Sequence, residues 1–291
     1  MICNLCPRMC SAERNETENI NGYCKMPLLP RVAKAQLHHW EEPCISGKNG
    51  SGTVFFSGCS LNCVFCQNDK ISHKGFGKTI SVERLADIFR ELYEKGAHNI
   101  NLVSPTHYIH AIKKALDIYK PPIPIVYNSG GYDKAEAIKS LEGYVDIFLM
   151  DLKYLSTERA ELLSDAINYP YFAQSAIKEA YRQQPKSVFE DGIMKKGLIV
   201  RHLLLPQATA EAINVFEWVR SNTPDAFFSI MSQYTPMGKA VNTPPLNRRV
   251  TKREYDKVLN YICTTDFSNC FYQYRSSAIQ EYIPLFDLDG V

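Results

Sequence analysis

Three cysteines on one short loop restrict this chain more than any other feature of its sequence. Cys59, Cys63 and Cys66 lie within eight residues and follow Gly58 and the β-branched, aromatic run 53–57. Iron–sulfur clusters are held by cysteine thiolates, usually four to a cubane. Three thiolates anchor three irons and leave the fourth iron without a protein ligand. The spacing therefore favours a [4Fe–4S] cluster with one open iron.

A structural zinc site is the alternative interpretation of these three cysteines. Zinc in such sites takes a fourth ligand, and His73 is the nearest imidazole along the chain. The x3 and x2 spacing directly after a predicted strand, with Phe65 before the last cysteine, favours the cluster over zinc.

Composition limits the class of protein and its partners. The chain has 291 residues, of which 45% are hydrophobic and 22% charged, so we expect one large α/β domain, alone or with a small appendage. The net charge of +2 gives no electrostatic reason to expect a nucleic acid or an acidic membrane surface as partner. No segment approaches the ~20 uninterrupted apolar residues of a membrane span, and residues 1–4 lack a signal-peptide pattern. We therefore expect a cytoplasmic protein whose thiols stay reduced.

The cysteines are concentrated near the amino terminus, where eight of the ten precede residue 67. We divide the chain into a cysteine-rich, metal-binding cap at residues 1–45 and a barrel at residues 46–291. Four cysteines of the cap have the spacing of a second metal site: Cys3, Cys6, Cys10 and Cys24. Four thiolates either close a tetrahedral zinc site or hold a second cubane. The spacing does not choose between the two.

Strands and helices alternate from residue 52 onward. Six apolar runs are predicted as strands, at residues 53–57, 98–103, 123–127, 145–150, 198–205 and 226–231. Amphipathic periodicity predicts helices at residues 81–95, 109–119, 134–141, 210–221 and 251–263, and a mostly helical stretch up to about residue 184. Strands that are each followed by a helix are typical of a parallel sheet, in either an open partial barrel or a doubly wound fold. In both folds, reactive side chains lie at the carboxyl ends of the strands.

The motifs taken together resemble the radical S-adenosylmethionine (SAM) superfamily, whose signature is CxxxCxxC after the first barrel strand. More narrowly, the chain resembles the proteins called pyruvate formate-lyase activating enzyme-like. The resemblance extends over almost the whole chain and includes residues 40–43, 51–53, 97–103, 105–108 and 246–249. It implies an α/β fold, a partial (β/α)6 barrel, and a SAM molecule that binds the open iron of the cluster.

The resemblance also implies a SAM site spread over several strand ends. Phe65 is expected near the adenine, and Asn128 and Ser129 are expected near the ribose. Thr106 is expected near the methionine amino group, although many superfamily members carry a Gly-Gly-Glu run there that this chain lacks. His107 ends a predicted strand and is expected to face the SAM pocket, where it either binds the ligand or orients the loop.

Three charged residues complete the SAM site that the resemblance implies. The run Asp151-Leu152-Lys153 matches an activating-enzyme motif whose aspartate and lysine face SAM. Arg201 matches an arginine placed for the SAM carboxylate, and a guanidinium suits bidentate carboxylate binding. Without the resemblance, an aspartate or lysine after a strand is often only a helix cap or a solvated ion pair.

The expected activity is reductive cleavage of SAM to a 5′-deoxyadenosyl radical, which then abstracts hydrogen. The expected partners are SAM, a flavodoxin- or ferredoxin-type reductant, and a glycyl radical enzyme whose glycine Cα donates the hydrogen. A small molecule or a peptide is the alternative hydrogen donor. An alternative of another class is a non-catalytic iron–sulfur electron carrier or a zinc-binding adaptor. The SAM-pocket residues argue against that class, because a carrier needs none of them.

Overall fold

Seven parallel strands form the centre of the molecule. The side chains of the four neighbouring strands Ser51–Phe56, Ile100–Val103, Ile125–Ser129 and Ile147–Asp151 are buried on both faces, and such strands pair in parallel when helices cover the sheet. The computed structural model describes residues 2–17, 21–273 and 284–291. In it the seven strands belong to one ten-stranded sheet.

The described residues contain twelve strands. They are β1 (Ile2–Cys3), β2 (Ala12–Glu13), β3 (Arg31–His38), β4 (Ser51–Phe56), β5 (Lys78–Thr79), β6 (Ile100–Val103), β7 (Ile125–Ser129), β8 (Ile147–Asp151), β9 (Val188–Glu190), β10 (Ile193–Leu203), β11 (Phe227–Met231) and β12 (Cys270–Tyr272). The six predicted strands are confirmed as β4, β6, β7, β8, β10 and β11, with ends that differ by a few residues.

The same residues contain nine α-helices. They are α1 (Pro43–Ser46), α2 (Asp69–Ser72), α3 (Val82–Glu94), α4 (Ile109–Ile118), α5 (Ala135–Lys139), α6 (Thr157–Ser164), α7 (Tyr169–Gln183), α8 (Thr209–Asn222) and α9 (Lys252–Cys263). Side-chain caps fix several helix starts. The Ser81 hydroxyl accepts from the Arg84 amide before α3, and Thr251 and Glu254 form a capping box before α9. All the predicted helices are confirmed.

The strand order is β12-β11-β10-β8-β7-β6-β4-β3-β5. Strands β4 to β12 on this path pair in parallel, whereas β3 runs antiparallel to β4 with His38 opposite Ser51. Within the described residues, β12 at one edge does not pair with β5 at the other, so the sheet stays open. The predicted α/β fold, a partial barrel with a cysteine-rich amino terminus, is confirmed.

Strand β3 is a feature that the sequence pattern did not predict. It lies within residues 1–45, the predicted cap, yet it makes an antiparallel ladder with β4 inside the main sheet. Its outer edge binds the carboxy-terminal segment, because the Leu288 amide donates to Ala33 and the Ala35 amide donates to Asp289. The sheet therefore begins well before residue 46. The division at residue 45 stays a prediction about folding units.

A short segment between β3 and β4 fills the lower end of the barrel, and we call residues 40–46 the plug. Cys44 and Ile45 are buried inside the barrel against Val126, Ile147 and Ile199. The plug backbone is also bound to the sheet, since Nδ2 of Asn99 donates to the Ile45 carbonyl at 2.7 Å. The plug places Glu41 and Glu42 in the barrel interior.

Candidate active site

The cluster loop begins directly after β4 with a turn that requires glycine. Gly58 has a φ of +85°, and a Cβ at this position would lie 2.2 Å from Cγ of Met26. Residues with a side chain rarely adopt this φ, and the close approach of Met26 adds a steric reason. The turn directs the chain from the sheet edge into the loop that carries the three cysteines.

The loop is attached to the end of α6. The Asn62 amide donates to the Ser164 carbonyl at 3.1 Å, and the Val64 amide donates to the Leu163 carbonyl at 3.0 Å. The Ser164 hydroxyl lies 3.1 Å from Sγ of Cys63. A thiolate accepts from this hydroxyl, so α6 fixes both the backbone of the loop and one of its sulfur atoms.

The three thiols share one environment. Burial raises the pKa of Cys59 to about 12, and the neighbouring Cys63 sulfur adds to that effect. Burial also raises the pKa of Cys66 to about 11, while the Ser72 hydroxyl lies 3.1 Å from its sulfur. Thiols of this kind hold their protons until a metal displaces them, so cluster assembly releases protons.

A cavity of about 250 Å³ adjoins the cluster loop and is lined by Cys63 and Cys66. Five residues predicted for the SAM pocket line the same cavity: Phe65, Asn128, Asp151, Lys153 and Arg201. They come from the cluster loop and from the ends of β7, β8 and β10. Parallel strands bring their carboxyl ends to one edge of a sheet, which is why residues far apart in the chain meet here.

Arg201 is the centre of a hydrogen-bonded network on the cavity wall. Its Nε donates to Oδ1 of Asp151 at 2.9 Å, and its Nη2 donates to Oδ1 of Asn128 at 2.7 Å. Its Nη1 donates to Oε2 of Glu41 at 3.1 Å. The other Glu41 oxygen accepts from Nδ2 of Asn101 and of Asn128, each at 3.1 Å. Glu41 of the plug thus holds the Arg201 guanidinium in place.

Lys153 and Asp151 form a buried ion pair beside the thiols. Nζ of Lys153 donates to Oδ2 of Asp151. Burial opposes the charge on Lys153, but the Asp151 carboxylate and the Cys63 sulfur raise the pKa of the ammonium above its ordinary value. Burial likewise opposes the Asp151 charge, and Lys153 and Arg201 lower the pKa of that carboxyl below its ordinary value. Lys153, Asp151 and Arg201 are therefore all charged at neutral pH.

Gly131 lets the loop after β7 approach the end of β8. Its φ is +80°, and a Cβ on it would lie 2.0 Å from the Asp151 carbonyl oxygen. The hydroxyl of Tyr169 lies 2.8 Å from the same carbonyl and accepts from the Lys153 amide at 2.9 Å. These contacts fix the backbone from which the ion pair projects.

Two comparisons with known sequences bear on this site. A family model described as the radical SAM superfamily matches residues 53–192, which include the cluster loop and the ends of β6, β7 and β8. The uncharacterized protein MJ0674 of Methanocaldococcus jannaschii is 32% identical over 267 residues, a match that covers 88% of this chain and 73% of the relative. The chain belongs to the radical SAM superfamily.

Two solved structures share the fold. SuiB of Streptococcus suis, bound to its precursor peptide SuiA, matches with a TM-score of 0.52 and 14% identity over 75% of this chain. SuiB bound to SAM matches with a TM-score of 0.52 and 15% identity over 74% of this chain. The chain spans about half the length of these structures, 47% and 48% respectively.

The residues of this radical SAM protein fit the groups that the family implies, a [4Fe–4S] cluster and SAM. The donor chemistry for the cluster is three half-buried thiols on one loop, each with a hydrogen-bonding neighbour on its sulfur. The cavity beside them presents two cations, Lys153 and Arg201, and two carboxylates, Asp151 and Glu41. SAM is itself a carboxylate with two cationic centres, so the charges of the cavity complement both of its signs.

Thr106 and Ser129, two residues predicted to contact SAM, do not line the cavity of this radical SAM protein. Both hydroxyls donate to the buried carboxylate of Asp133 at 2.6 Å, and the Tyr127 hydroxyl donates to it at 2.8 Å. Successive strand residues point to opposite faces of a sheet. Asn128 therefore faces the cavity, whereas Ser129 faces the helix layer. A direct SAM contact by either hydroxyl stays a prediction.

His107 is also placed away from the cavity. Its Nε2 donates to the Ser57 carbonyl at 2.7 Å, directly before the cluster loop. Burial lowers the pKa of His107 to about 3, so the ring is neutral. The Arg14 guanidinium donates to the His107 carbonyl at 2.8 Å. Of the two roles predicted for this residue, its placement matches that of orienting the loop.

The cap cysteines Cys3, Cys10 and Cys24 lie near enough to Cys6 to affect the pKa of its thiol. Burial raises the pKa of Cys6 to about 12, with additions from Cys24, Cys3 and Cys10. The backbone at Arg8 and at Met26 opposes this effect and lowers the pKa of Cys6 and of Cys24. Nη1 of Arg14 lies 3.5 Å from Sγ of Cys3.

The cap contacts the cluster loop through Arg8. Its Nε donates to the Ser60 carbonyl at 2.7 Å, one residue from Cys59. The guanidinium stacks on the Tyr23 ring, 3.7 Å from its centroid. The Tyr23 hydroxyl donates to Asp165 at 2.6 Å, at the end of α6. The cap and α6 thus hold the cluster loop from two sides.

Among the described residues, no group of three His, Cys, Asp or Glu side chains is arranged so that it could hold a metal ion. Nor does any helix in the described part of the chain have the length and apolarity to cross a membrane.

Sequence reasoning missed Glu41, Asn101 and Asp133 as parts of the site. Glu41 had a signal, because it lies in the segment 40–43 that carries part of the family resemblance. Asn101 had a weaker one, a polar residue inside an otherwise apolar strand. Asp133 follows a glycine-containing loop and had no signal that distinguishes it from an ordinary turn aspartate.

Proposed function

We propose that this protein binds SAM in the cavity beside Cys63 and Cys66 and uses it to abstract hydrogen from the glycine Cα of a glycyl radical enzyme. The observation that carries the proposal is the shared cavity, which joins cluster-loop thiols to the Asp151, Lys153 and Arg201 side chains. When bound, the cluster and SAM supply a one-electron reductive cleavage that gives methionine and a 5′-deoxyadenosyl radical.

The protein's own residues bind and orient SAM in this proposal. Arg201 and Lys153 hold the SAM carboxylate, and Asp151 holds a cationic group while it keeps both basic side chains in place. Phe65 packs against the adenine, and its ring lies against that of Tyr234, 6.0 Å between centroids. The buried position of these groups excludes water, which strengthens the charge interactions that would hold SAM.

Thr106, Ser129 and His107 support the site without lining the cavity. Asp133 holds the two hydroxyls, and His107 fixes the backbone before the cluster loop through Ser57. In this proposal they set the position of the cavity wall and of the cluster. The electron comes from a flavodoxin- or ferredoxin-type protein, and the protein works in the cytoplasm.

A small molecule or a peptide is the second candidate for the hydrogen donor. The support is a second cavity of about 560 Å³ that shares Trp40, Glu41 and Gln233 with the first one. A related fold, SuiB, is bound to a precursor peptide in one of its structures.

The two candidates are separated by an anaerobic assay with the reconstituted protein, SAM and a strong reductant. A glycyl radical enzyme that acquires an organic radical EPR signal, lost when its target glycine is replaced by alanine, supports the first candidate. Deuterium transfer into 5′-deoxyadenosine from a labelled peptide or small molecule, with no partner protein present, supports the second. Formation of 5′-deoxyadenosine with neither result would contradict both donors.

We also propose that the cap, residues 1–45, binds a metal through Cys3, Cys6, Cys10 and Cys24, as either one zinc ion or a second cluster. The support is that Cys3, Cys10 and Cys24 lie near enough to Cys6 to raise the pKa of its thiol further. Around a zinc ion with 2.3 Å bonds the four sulfur atoms would move to about 3.8 Å from one another. Metal analysis distinguishes the two forms, because zinc adds one zinc and a second cubane adds four irons.

The matched variants for this metal are cysteine-to-serine changes. Cys10→Ser should remove the extra metal and leave the radical cluster's iron in place, since Cys10 belongs to the cap. Cys263→Ser is the control, because Cys263 is an exposed cysteine on α9. Equal metal content in the wild type and Cys10→Ser would contradict the proposed site.

A further inference from the structure

One buried tyrosine close to the cluster loop has no part in the proposed binding of SAM. Tyr154 lies on the loop after β8, next to Lys153, and is 2% exposed. Its hydroxyl lies 3.0 Å from the Ser164 hydroxyl, which in turn lies 3.1 Å from Sγ of Cys63. Tyr154, Ser164 and Cys63 therefore form a chain of two hydrogen bonds that ends at a sulfur atom of the cluster loop.

The direction of this chain follows from the charge of the sulfur atom. A cysteine that binds a metal is a thiolate, and a thiolate accepts hydrogen bonds but has no proton to donate. Ser164 has a single hydroxyl proton. When that proton is donated to Cys63, the serine oxygen can only accept from Tyr154. The phenol is therefore the donor at the far end of the chain.

The position of the phenol is fixed by contacts with two helices. Its ring lies edge-on to the ring of Tyr169, the first residue of α7, with 5.6 Å between centroids. The next two amides along the chain, those of Leu155 and Ser156, donate to Oε1 of Glu211 on α8 at 2.6 and 2.9 Å. These contacts hold Tyr154 in place without the help of α6.

A second hydroxyl at the cluster loop provides an internal comparison. The Ser72 hydroxyl lies 3.1 Å from Sγ of Cys66, the same distance as the one between Ser164 and Cys63. Among the described residues, only the Ser164 hydroxyl of these two also contacts a second hydroxyl, that of Tyr154. Hydrogen bonds in a chain polarise and strengthen one another. Cys63 should therefore receive the stronger of the two hydrogen bonds.

We propose that Tyr154 is a positioning residue that raises the reduction potential of the cluster, because it orients the Ser164 hydroxyl toward Cys63. The inference rests on the proposed function in one respect, that this loop holds the cluster. Hydrogen bonds to the sulfur atoms of a cluster stabilise its reduced, more negative state. Without the phenol, the Ser164 hydroxyl can turn to a carbonyl of its own helix, as helical serines do. The loop after β8 thus binds SAM and also sets how readily the cluster accepts an electron.

The test is the midpoint potential of the cluster in Tyr154→Phe, which removes one oxygen atom and keeps the ring. It is measured by EPR in redox titrations of the anaerobically reconstituted protein, on the signal that changes when SAM is added. At the wild-type midpoint, the ratio of reduced to oxidised cluster should fall about threefold, less than in Ser164→Ala. Tyr255→Phe is the matched control and should keep the wild-type potential, since its buried hydroxyl on α9 donates to the Gln273 carbonyl.

Two double variants show whether the effect passes through Ser164. In Ser164→Ala, the further change Tyr154→Phe should leave the potential unchanged, because the hydroxyl that Tyr154 orients is absent. In Ser72→Ala, the same change should lower the potential as much as it does in the wild type, because the two contacts are independent. A wild-type potential in Tyr154→Phe overturns the proposal. So does an equal shift with and without the Ser164 hydroxyl.

Iron content shows whether each variant assembles its cluster. Should Tyr154→Phe not assemble it, labelling of all tyrosines with 3-fluorotyrosine provides the test, since fluorine makes a phenol a stronger donor. The potential should then rise in the wild type and stay unchanged in Ser164→Ala; the same response in both overturns the proposal. Formation of 5′-deoxyadenosine is measured on the same preparations. A wild type that holds its cluster but forms none contradicts the proposed function, while the potentials still decide the role of Tyr154.

Discussion

Replacing Arg201 should destabilise the protein more than replacing any exposed arginine. Arg201→Met removes three hydrogen bonds, to Asp151, Asn128 and Glu41, and leaves two buried carboxylates without their shared cation. Breaking a buried ion pair costs about 3–5 kcal/mol. Asp151 keeps Lys153, and Glu41 keeps two amide donors. We therefore expect a loss near the lower end, about 3 kcal/mol.

The measurement is the free energy of unfolding from anaerobic urea titrations followed by circular dichroism. The matched control is Arg182→Met, because Arg182 also pairs with two carboxylates, Glu142 and Glu179, but is half exposed. Ion pairs at an exposed position contribute little, so this variant should unfold almost as the wild type does.

A double-mutant cycle locates the effect in the network. Glu41→Gln and Arg201→Met should show a coupling energy of about 1–3 kcal/mol, since the two side chains are in direct contact. A loss below about 1 kcal/mol in Arg201→Met would contradict the role of Arg201 as the shared cation of Asp151 and Glu41. So would an equal cost of Glu41→Gln with and without the arginine, because it would mean that the plug does not hold the cavity wall.

Three further variants test other parts of the site. Gly131→Ala should unfold at clearly lower urea than Gly143→Ala, because both have positive φ but only at Gly131 does a Cβ meet the Asp151 carbonyl; equal midpoints would contradict this. The wild type should lose stability as the pH falls below 6.5 toward 3, since unfolded His107 binds a proton that the buried ring does not. This amounts to about 2 kcal/mol at pH 5, and urea titrations of His107→Asn should show a smaller pH dependence. Ser164→Ala should make the cluster's midpoint potential more negative in an EPR-monitored titration, because a hydrogen bond to the Cys63 sulfur is lost; an unchanged or higher potential would count against that contact.

The sequence predicted the barrel strands well because each is a compact apolar run bounded by turn residues. Strand β3 was missed for a physical reason. It lies between a proline-containing stretch and the plug, and only the four-residue helix α1 follows it, so it lacks the βα pattern that identified the others. Its place is set by a tertiary contact, the antiparallel ladder with β4. Strand β12 is three residues long and has no local signal beyond its aromatic content.

Side-chain direction limited the prediction of the site. Asn128 and Ser129 are adjacent, and both were predicted to contact the SAM ribose. In β7 they face opposite sides of the sheet, so only Asn128 lines the cavity. The hydroxyl of Ser129 is bound instead by Asp133, a residue whose role depends on a three-dimensional cluster with Thr106 and Tyr127. Spacing along a strand predicts such a division only when the register is known.

In the proposed function, the loop with Cys59, Cys63 and Cys66 holds a cluster that cleaves SAM. The most direct measurement is the yield of 5′-deoxyadenosine from anaerobically reconstituted protein with SAM and a strong reductant, with Cys63→Ala run in parallel. We predict 5′-deoxyadenosine from the wild type and none from the variant. A wild-type protein with its full iron content that forms no 5′-deoxyadenosine and shows no SAM-induced change in its EPR spectrum would contradict the claim.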